Sequence, residues 1–130
     1  MEQKKILEIL NLSPESEKAV IPALSKKKII EISKTAYVGE ISDFPILRLK
    51  PLTRLAVVVH LICGKYDEYL SLGVPPKIIE DSFRDIALRA ELYLKEKGKP
   101  GISKNDALWF RHIINCQIFK VGVLQFQAFE

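Results

Sequence analysis

The apolar residues recur every three or four positions through most of the chain, which is the period of an amphipathic helix. The longest stretch of this kind begins near Pro51 and ends at Gly73, and it is apolar on nearly every side. A helix without a polar face must be covered by neighbouring elements. The pattern therefore predicts a central helix over residues 52–72, with the other helices packed around it.

Helix signals also occur on both sides of this central segment. Ser13 followed by Pro14 predicts a capped helix start, and Pro22 predicts an interruption or a kink in that helix. After the central segment, Pro75-Pro76 opens another helix and Gly98 closes it. The residues expected to form the core stripe of this second helix are Ile79, Phe83, Ile86, Ala90 and Leu94.

The C-terminal part of the chain combines a helix signal with a strand signal. A helix is predicted over about 105–120, with Trp109 as a core anchor and His112 at the edge of that core. Residues 123–129 alternate like a strand and carry apolar side chains on both faces. The predicted fold is mainly α, a bundle of about five or six helices with one C-terminal β-strand.

A lone strand needs a partner for its backbone donors and acceptors. Three partners are open for residues 123–129: the short stretch 44–49, a second copy of the chain, or a sheet in sequence that is absent here. An exposed apolar edge promotes association between chains.

Composition excludes several classes of protein. The 130 residues suit one domain, and 48% hydrophobic residues exclude wholesale disorder. A net charge of +4, with acids interspersed among the bases, predicts no nucleic-acid partner. The longest apolar run, 55–63, is too short for a membrane span, and no signal peptide precedes it. With only two cysteines, the expected location is cytoplasmic and no membrane partner is predicted.

One pair of carboxylates has the spacing of a possible chemical site. Asp81 and Asp85 lie one helical turn apart with Arg84 between them. Paired carboxylates can perform general acid–base chemistry. In the simpler interpretation they complement the helix dipole, and Arg84 pairs with Glu80 or Asp81.

Histidine and cysteine recur with the spacing of one helical turn. The four residues His60, Cys63, His112 and Cys116 could supply two imidazoles and two thiolates to zinc. The simpler interpretation makes both cysteines small buried hydrophobic residues, so no metal site is predicted. Cys116 shares a face with Trp109, which argues against a reactive thiol beside His112. No phosphate-binding glycine loop is present in the sequence.

From residue 73 onward, a series of short motifs resembles a bacterial family. The motifs are Gly73-Val-Pro-Pro, Asp81-Ser-Phe-Arg-Asp85, Gly98-Lys-Pro-Gly101, Trp109-Phe-Arg-His112 and Ile118-Phe-Lys-Val-Gly122-Val-Leu-Gln-Phe126. They resemble the junction region of GNAT-related, two-domain acyltransferase-like proteins, in which a helical N-terminal domain leads into a GNAT-like domain. Lys120 and Val123 stand where this family favours arginine, and Gln127 stands where it favours glutamate.

The resemblance implies a domain organisation and a function. Residues 1–121 would be the helical N-terminal domain, and 122–130 the first strand of a GNAT-like domain that is otherwise absent. The helical domain would contribute to the acceptor-substrate site or to domain packing, without an acyl-CoA site of its own. The candidate substrate-binding residues within the matching motifs are Asp81, Arg84, Asp85, Trp109, His112 and Gln125.

The resemblance also implies a cofactor and a partner. Acyl-CoA would be the donor for the full-length family, whereas this chain would bind no cofactor and would be inactive alone. Its partner would be the missing GNAT-like domain or a second copy joined through 123–129. The alternative function is a non-catalytic helical protein-interaction module.

Overall fold

The computed structural model describes residues 3–35 and 49–97, and five helices lie within these ranges. They are α1 (Gln3–Leu10), α2 (Pro14–Leu24), α3 (Lys27–Thr35), α4 (Pro51–Ser71) and α5 (Pro76–Lys97). The predicted mainly helical fold is therefore confirmed for the described residues. The predicted strand 123–129 and the predicted helix near 105–120 lie outside them.

Helix α4 is the centre of the bundle. It packs against α1, α2, α3 and α5, and every residue from Arg54 to Val59 is buried. Six consecutive buried positions place buried side chains on all sides of the helix, because successive residues point about 100° apart. The predicted central helix is thereby confirmed.

Helix α5 covers one side of α4 with the predicted stripe. All five stripe residues are buried, and each is at most 5% exposed: Ile79, Phe83, Ile86, Ala90 and Leu94. The ring of Phe83 lies 5.9 Å from that of Tyr69 on α4, measured between centroids. The Tyr66 hydroxyl donates a hydrogen bond to Oε1 of Glu80, at 3.3 Å. Apolar packing and a polar contact therefore both join α4 to α5.

The turn between α4 and α5 depends on a glycine. The backbone N–H of Leu72 bonds back to α4, and Gly73 follows with a φ of +89°. This left-handed conformation is unfavourable for residues that carry a Cβ atom. Gly73 therefore ends α4 where the sequence predicts and lets α5 return along it.

The start of α2 follows the sequence prediction, whereas its middle does not. Pro14 occupies the first turn, and the Oγ atom of Ser13 accepts a hydrogen bond from the N–H of Ser16 at 3.4 Å. The predicted interruption at Pro22 is wrong, because α2 continues through it to Leu24. Pro22 has no N–H to donate to the carbonyl oxygen of Lys18, four positions earlier. Both residues are exposed, so water can hydrate that carbonyl.

Candidate functional site

An open cleft lies where α2, the start of α4 and the end of α5 meet. Its volume is about 840 Å³. We call it the interhelix cleft, and its lining residues are Glu15, Ala19, Lys50, Pro51, Leu52, Thr53, Leu94 and Lys95. Apolar side chains and charged side chains therefore face the same space, as in sites for small polar molecules.

The first turn of α4 is placed at the cleft by its proline. Lys50 precedes Pro51 in an extended conformation, with φ −60° and ψ 150°, as residues before proline usually are. Pro51 then starts the helix, and Lys50 provides no side-chain cap. This arrangement leaves Lys50 at the cleft, together with the side chain of Thr53.

A polar network joins α5 to the start of α2 beside the cleft. Lys95 Nζ donates to Ser13 Oγ at 2.8 Å and forms an ion pair with Oε1 of Glu91 at 3.0 Å. The N–H of Ser13 donates to Oε2 of Glu91 at 3.4 Å. Lys95 also lies 3.9 Å from Oε2 of Glu15, which is a cleft residue. We call Ser13, Glu91 and Lys95 the buried cluster after Glu91, whose side chain is 6% exposed, whereas that of Lys95 is 36% exposed and Ser13 is half-buried.

The buried cluster keeps Glu91 charged. Burial by itself raises the pKa of this carboxyl group, but the hydrogen bonds from Ser13 and Lys95 outweigh burial. The pKa of Glu91 is therefore lowered from its ordinary value. A carboxylate that remains ionised and holds Lys95 fixes one wall of the cleft.

A second, smaller cavity adjoins the cleft at the start of α4. Its volume is about 250 Å³, and we call it the lysine pocket. It is lined by Lys26, Lys28, Ile29, Leu49, Lys50 and Thr53. Neither α3 nor α4 has an acidic residue in its own first turn, so no carboxylate of these turns balances the positive helix ends.

The predicted site residues on α5 lie at the surface. The carboxylate of Asp81 is 3.3 Å from Nη1 of Arg84, and that of Asp85 is 3.1 Å from Nε of Arg89. Arg84 Nε also donates to the carbonyl oxygen of Ile9 at 2.8 Å. None of these residues lines the interhelix cleft. The ion pair between Arg84 and Asp81 is the one that the simpler interpretation predicts.

The other three predicted substrate-binding residues, Trp109, His112 and Gln125, lie outside the described residues. Substrate binding by all six therefore stays a prediction. Cys116, which stands with His112 in the hypothetical zinc set, also lies outside the described residues.

His60 and Cys63 lie on α4 away from the cleft. Burial and the charge of Lys34 lower the pKa of His60. Burial raises the pKa of the Cys63 thiol to about 11, so this cysteine is a thiol at neutral pH. Within residues 3–35 and 49–97, no three potential ligands among histidine, cysteine and carboxylates are grouped to hold a metal ion.

The sequence prediction missed two buried charged residues. Glu91 has a signal in the sequence, because it follows the apolar Ala87 by four positions and precedes Leu94 of the core stripe by three. Arg54 is 1% exposed at the start of α4, and its Nε atom donates to the carbonyl oxygen of Leu49 at 3.0 Å. A charged residue that is spaced like the buried apolar residues of its helix is therefore a candidate for a buried polar site.

Comparison with known proteins agrees with the resemblance of the motifs. A family model described as the N-acyltransferase N-terminal domain matches residues 1–116. The search of curated proteins and the search of solved structures found no significant match. Among the described helices, none is both long and apolar enough to cross a membrane.

Proposed function

Because the chain belongs to the family of N-acyltransferase N-terminal domains, we propose that it is the helical half of an acyl-CoA-dependent, GNAT-related acyltransferase. Its role is to supply part of the acceptor-substrate site. The interhelix cleft carries this proposal, since it lies within the matched region and has a volume of about 840 Å³. Sites for small molecules typically measure about 300–1,000 Å³.

The cleft has the chemistry to orient a small acceptor. Leu52 and Leu94 offer apolar contact, whereas Glu15, Lys50 and Lys95 offer charges of both signs. In acyl transfer to nitrogen, an amine attacks the thioester carbonyl, a C–N bond forms, and the C–S bond breaks. The amine loses a proton and the thiol leaves protonated. Holding the amine in one orientation removes much of the entropic barrier to this attack.

The donor acyl-CoA binds to a GNAT-like C-terminal domain in this proposal. Support comes from the sequence, which has no phosphate-binding glycine loop. Packing of such a domain against α5 is supported by Leu88 and Leu92, which are 51% and 58% exposed. They lie one helical turn apart and present one apolar strip to a partner.

Narrowing the cleft tests the proposal. Leu52→Trp would fill part of the interhelix cleft, whereas Leu72→Trp places the same ring about 30 Å away along α4 and serves as the matched control. Each variant is combined with a GNAT-like domain, and thiol release from acetyl-CoA is followed over a panel of primary amines. We expect the KM for the amine to rise at least tenfold in Leu52→Trp alone, with the KM for acetyl-CoA unchanged.

The same assay separates the two candidate roles. An equal effect of both tryptophan variants would contradict an acceptor site in the cleft. A complete lack of thiol release with every amine would favour the non-catalytic interaction module. Loss of activity in a Leu88→Ser, Leu92→Ser double variant, restored at high concentration of the GNAT-like domain, would support packing through α5.

A further inference from the structure

Three lysines from separate parts of the chain line the lysine pocket. Lys26 lies between α2 and α3, Lys28 lies in the first turn of α3, and Lys50 precedes α4. The helical bundle therefore brings charges from positions 26, 28 and 50 to one cavity. Thr53, half-buried in the first turn of α4, adds a hydroxyl group to the same cavity.

These three ammonium groups lack acidic partners in the part of the chain that the structure describes. No ion pair within residues 3–35 and 49–97 involves Lys26, Lys28 or Lys50. Their neighbour Lys27, in contrast, lies 3.8 Å from a carboxylate oxygen of Glu31. Like charges that line one cavity produce a positive potential that attracts an anion.

The size of the lysine pocket limits what the anion can be. Its volume of about 250 Å³ lies below the range of about 300–1,000 Å³ for whole drug-sized ligands. A compact group such as a phosphate fits this space. Ammonium groups and hydroxyl donors are also among the groups that proteins use to bind phosphate.

The lysine pocket and the interhelix cleft share part of their lining. Lys50 and Thr53 line both cavities, so one ligand can contact both. We propose that the lysine pocket binds the phosphate group of a ligand whose remaining part occupies the interhelix cleft. The assignment of the cleft as a substrate site rests on the proposed function, whereas the anion site rests on the three lysines and their cavity.

Inorganic phosphate is the probe for the anion site. It is titrated into the isotopically labelled chain at constant ionic strength, and backbone amide shifts are followed by NMR. We expect saturable shifts at Lys50 and Thr53, with at least tenfold weaker binding in the triple variant Lys26→Gln, Lys28→Gln, Lys50→Gln. Exposed lysines tolerate this change, and a thermal melt checks that the variant remains folded.

The matched control is Lys77→Gln on α5. Lys77 is exposed and lies about 27 Å along the helix from Lys95, away from both cavities. The Lys77→Gln variant should bind phosphate with the same affinity as the unmodified chain. The proposal is overturned if phosphate produces no saturable shift at the pocket, or if the triple variant binds phosphate as well as the control does.

Two further probes distinguish the source of the phosphate. O-phosphoethanolamine represents a phosphorylated amine acceptor, and CoA represents the donor. Lysine-dependent binding of O-phosphoethanolamine assigns the phosphate to the acceptor, and lysine-dependent binding of CoA assigns it to the donor. If neither probe competes with inorganic phosphate at the pocket, the proposed ligand is wrong. These measurements need no turnover, so their failure is separate from a failure of the acyltransfer assay.

Discussion

Helix α5 contributes to two groups of polar and charged side chains, in two different environments. The exposed cluster consists of Asp81, Arg84 and Asp85, and the buried cluster consists of Ser13, Glu91 and Lys95. The Asp85 side chain is 55% exposed and pairs with a residue on its own helix. The Glu91 side chain is 6% exposed and connects α5 to the start of α2.

The difference between the clusters comes from water. Around the exposed cluster, water and salt screen the charges, so each ion pair contributes only about 0.2–1 kcal/mol. In the buried cluster, a hydrogen bond to a charged group contributes about 1.5–3 kcal/mol, and an unpaired group costs more. Regular spacing along one helix therefore identifies charge pairs without showing which of them matter for stability or for a site.

The largest expected effect is that of Glu91→Ala. This change leaves the N–H of Ser13 and the ammonium group of Lys95 without their carboxylate. We expect the free energy of unfolding to fall by about 2 kcal/mol. The Tm should fall by about 8 °C, measured by circular dichroism. A decrease in Tm smaller than 2 °C would show that the buried cluster contributes no more to stability than the exposed cluster does.

The next largest effect is that of Ser13→Ala. The hydroxyl group of Ser13 caps α2 and accepts a hydrogen bond from Lys95, so its loss should cost about 1 kcal/mol. Ser71→Ala is the matched control, because the Ser71 hydroxyl contacts only an exposed carbonyl at the end of α4. Urea denaturation should show a clear midpoint shift for Ser13→Ala, and equal shifts for both variants would contradict the capping role.

The pH dependence of stability gives a third comparison. The folded-state pKa of Glu91 is lowered from its ordinary value of 4.5, so its stabilisation is fully present above that pH. It is lost as the pH falls through the lower folded-state pKa. Glu91→Gln should therefore be less stable than the unmodified chain at pH 7, and the difference should shrink below about pH 4.5. Urea midpoints measured at pH 7 and at pH 3 test this, and a constant difference would contradict it.

The smallest expected effect is that of Asp85→Ala. Its ion pair with Arg89 is exposed, so the free energy of unfolding should change by at most about 0.5 kcal/mol. This change should nearly vanish in 0.5 M salt, because screening at that ionic strength shortens the range of charge interactions. A loss comparable to that of Glu91→Ala would mean that the exposed cluster has a structural role that its exposure does not indicate.

The sequence predicted the helices because their signals are local. The apolar period of α4, the caps at Ser13 and Gly73, and the stripe of α5 each depend on residues within a few positions of one another. Pro22 is the exception, since the sequence shows the lost amide but not that solvent reaches the carbonyl. The candidate site stays a prediction, because the exposure of Asp81 and Asp85 at the surface of α5 does not test whether they bind a substrate.

Taken alone, the chain of residues determined the helical class, the central position of α4 and the membership of the N-acyltransferase N-terminal domain family. Only the tertiary structure decided that Ser13 meets Glu91 and Lys95, which follow it by 78 and 82 positions. It also decided that Lys26, Lys28 and Lys50 share one cavity. The physical reason is that burial and electrostatic fields depend on distances in space. Helix packing sets those distances, and the spacing of residues within each helix does not determine them.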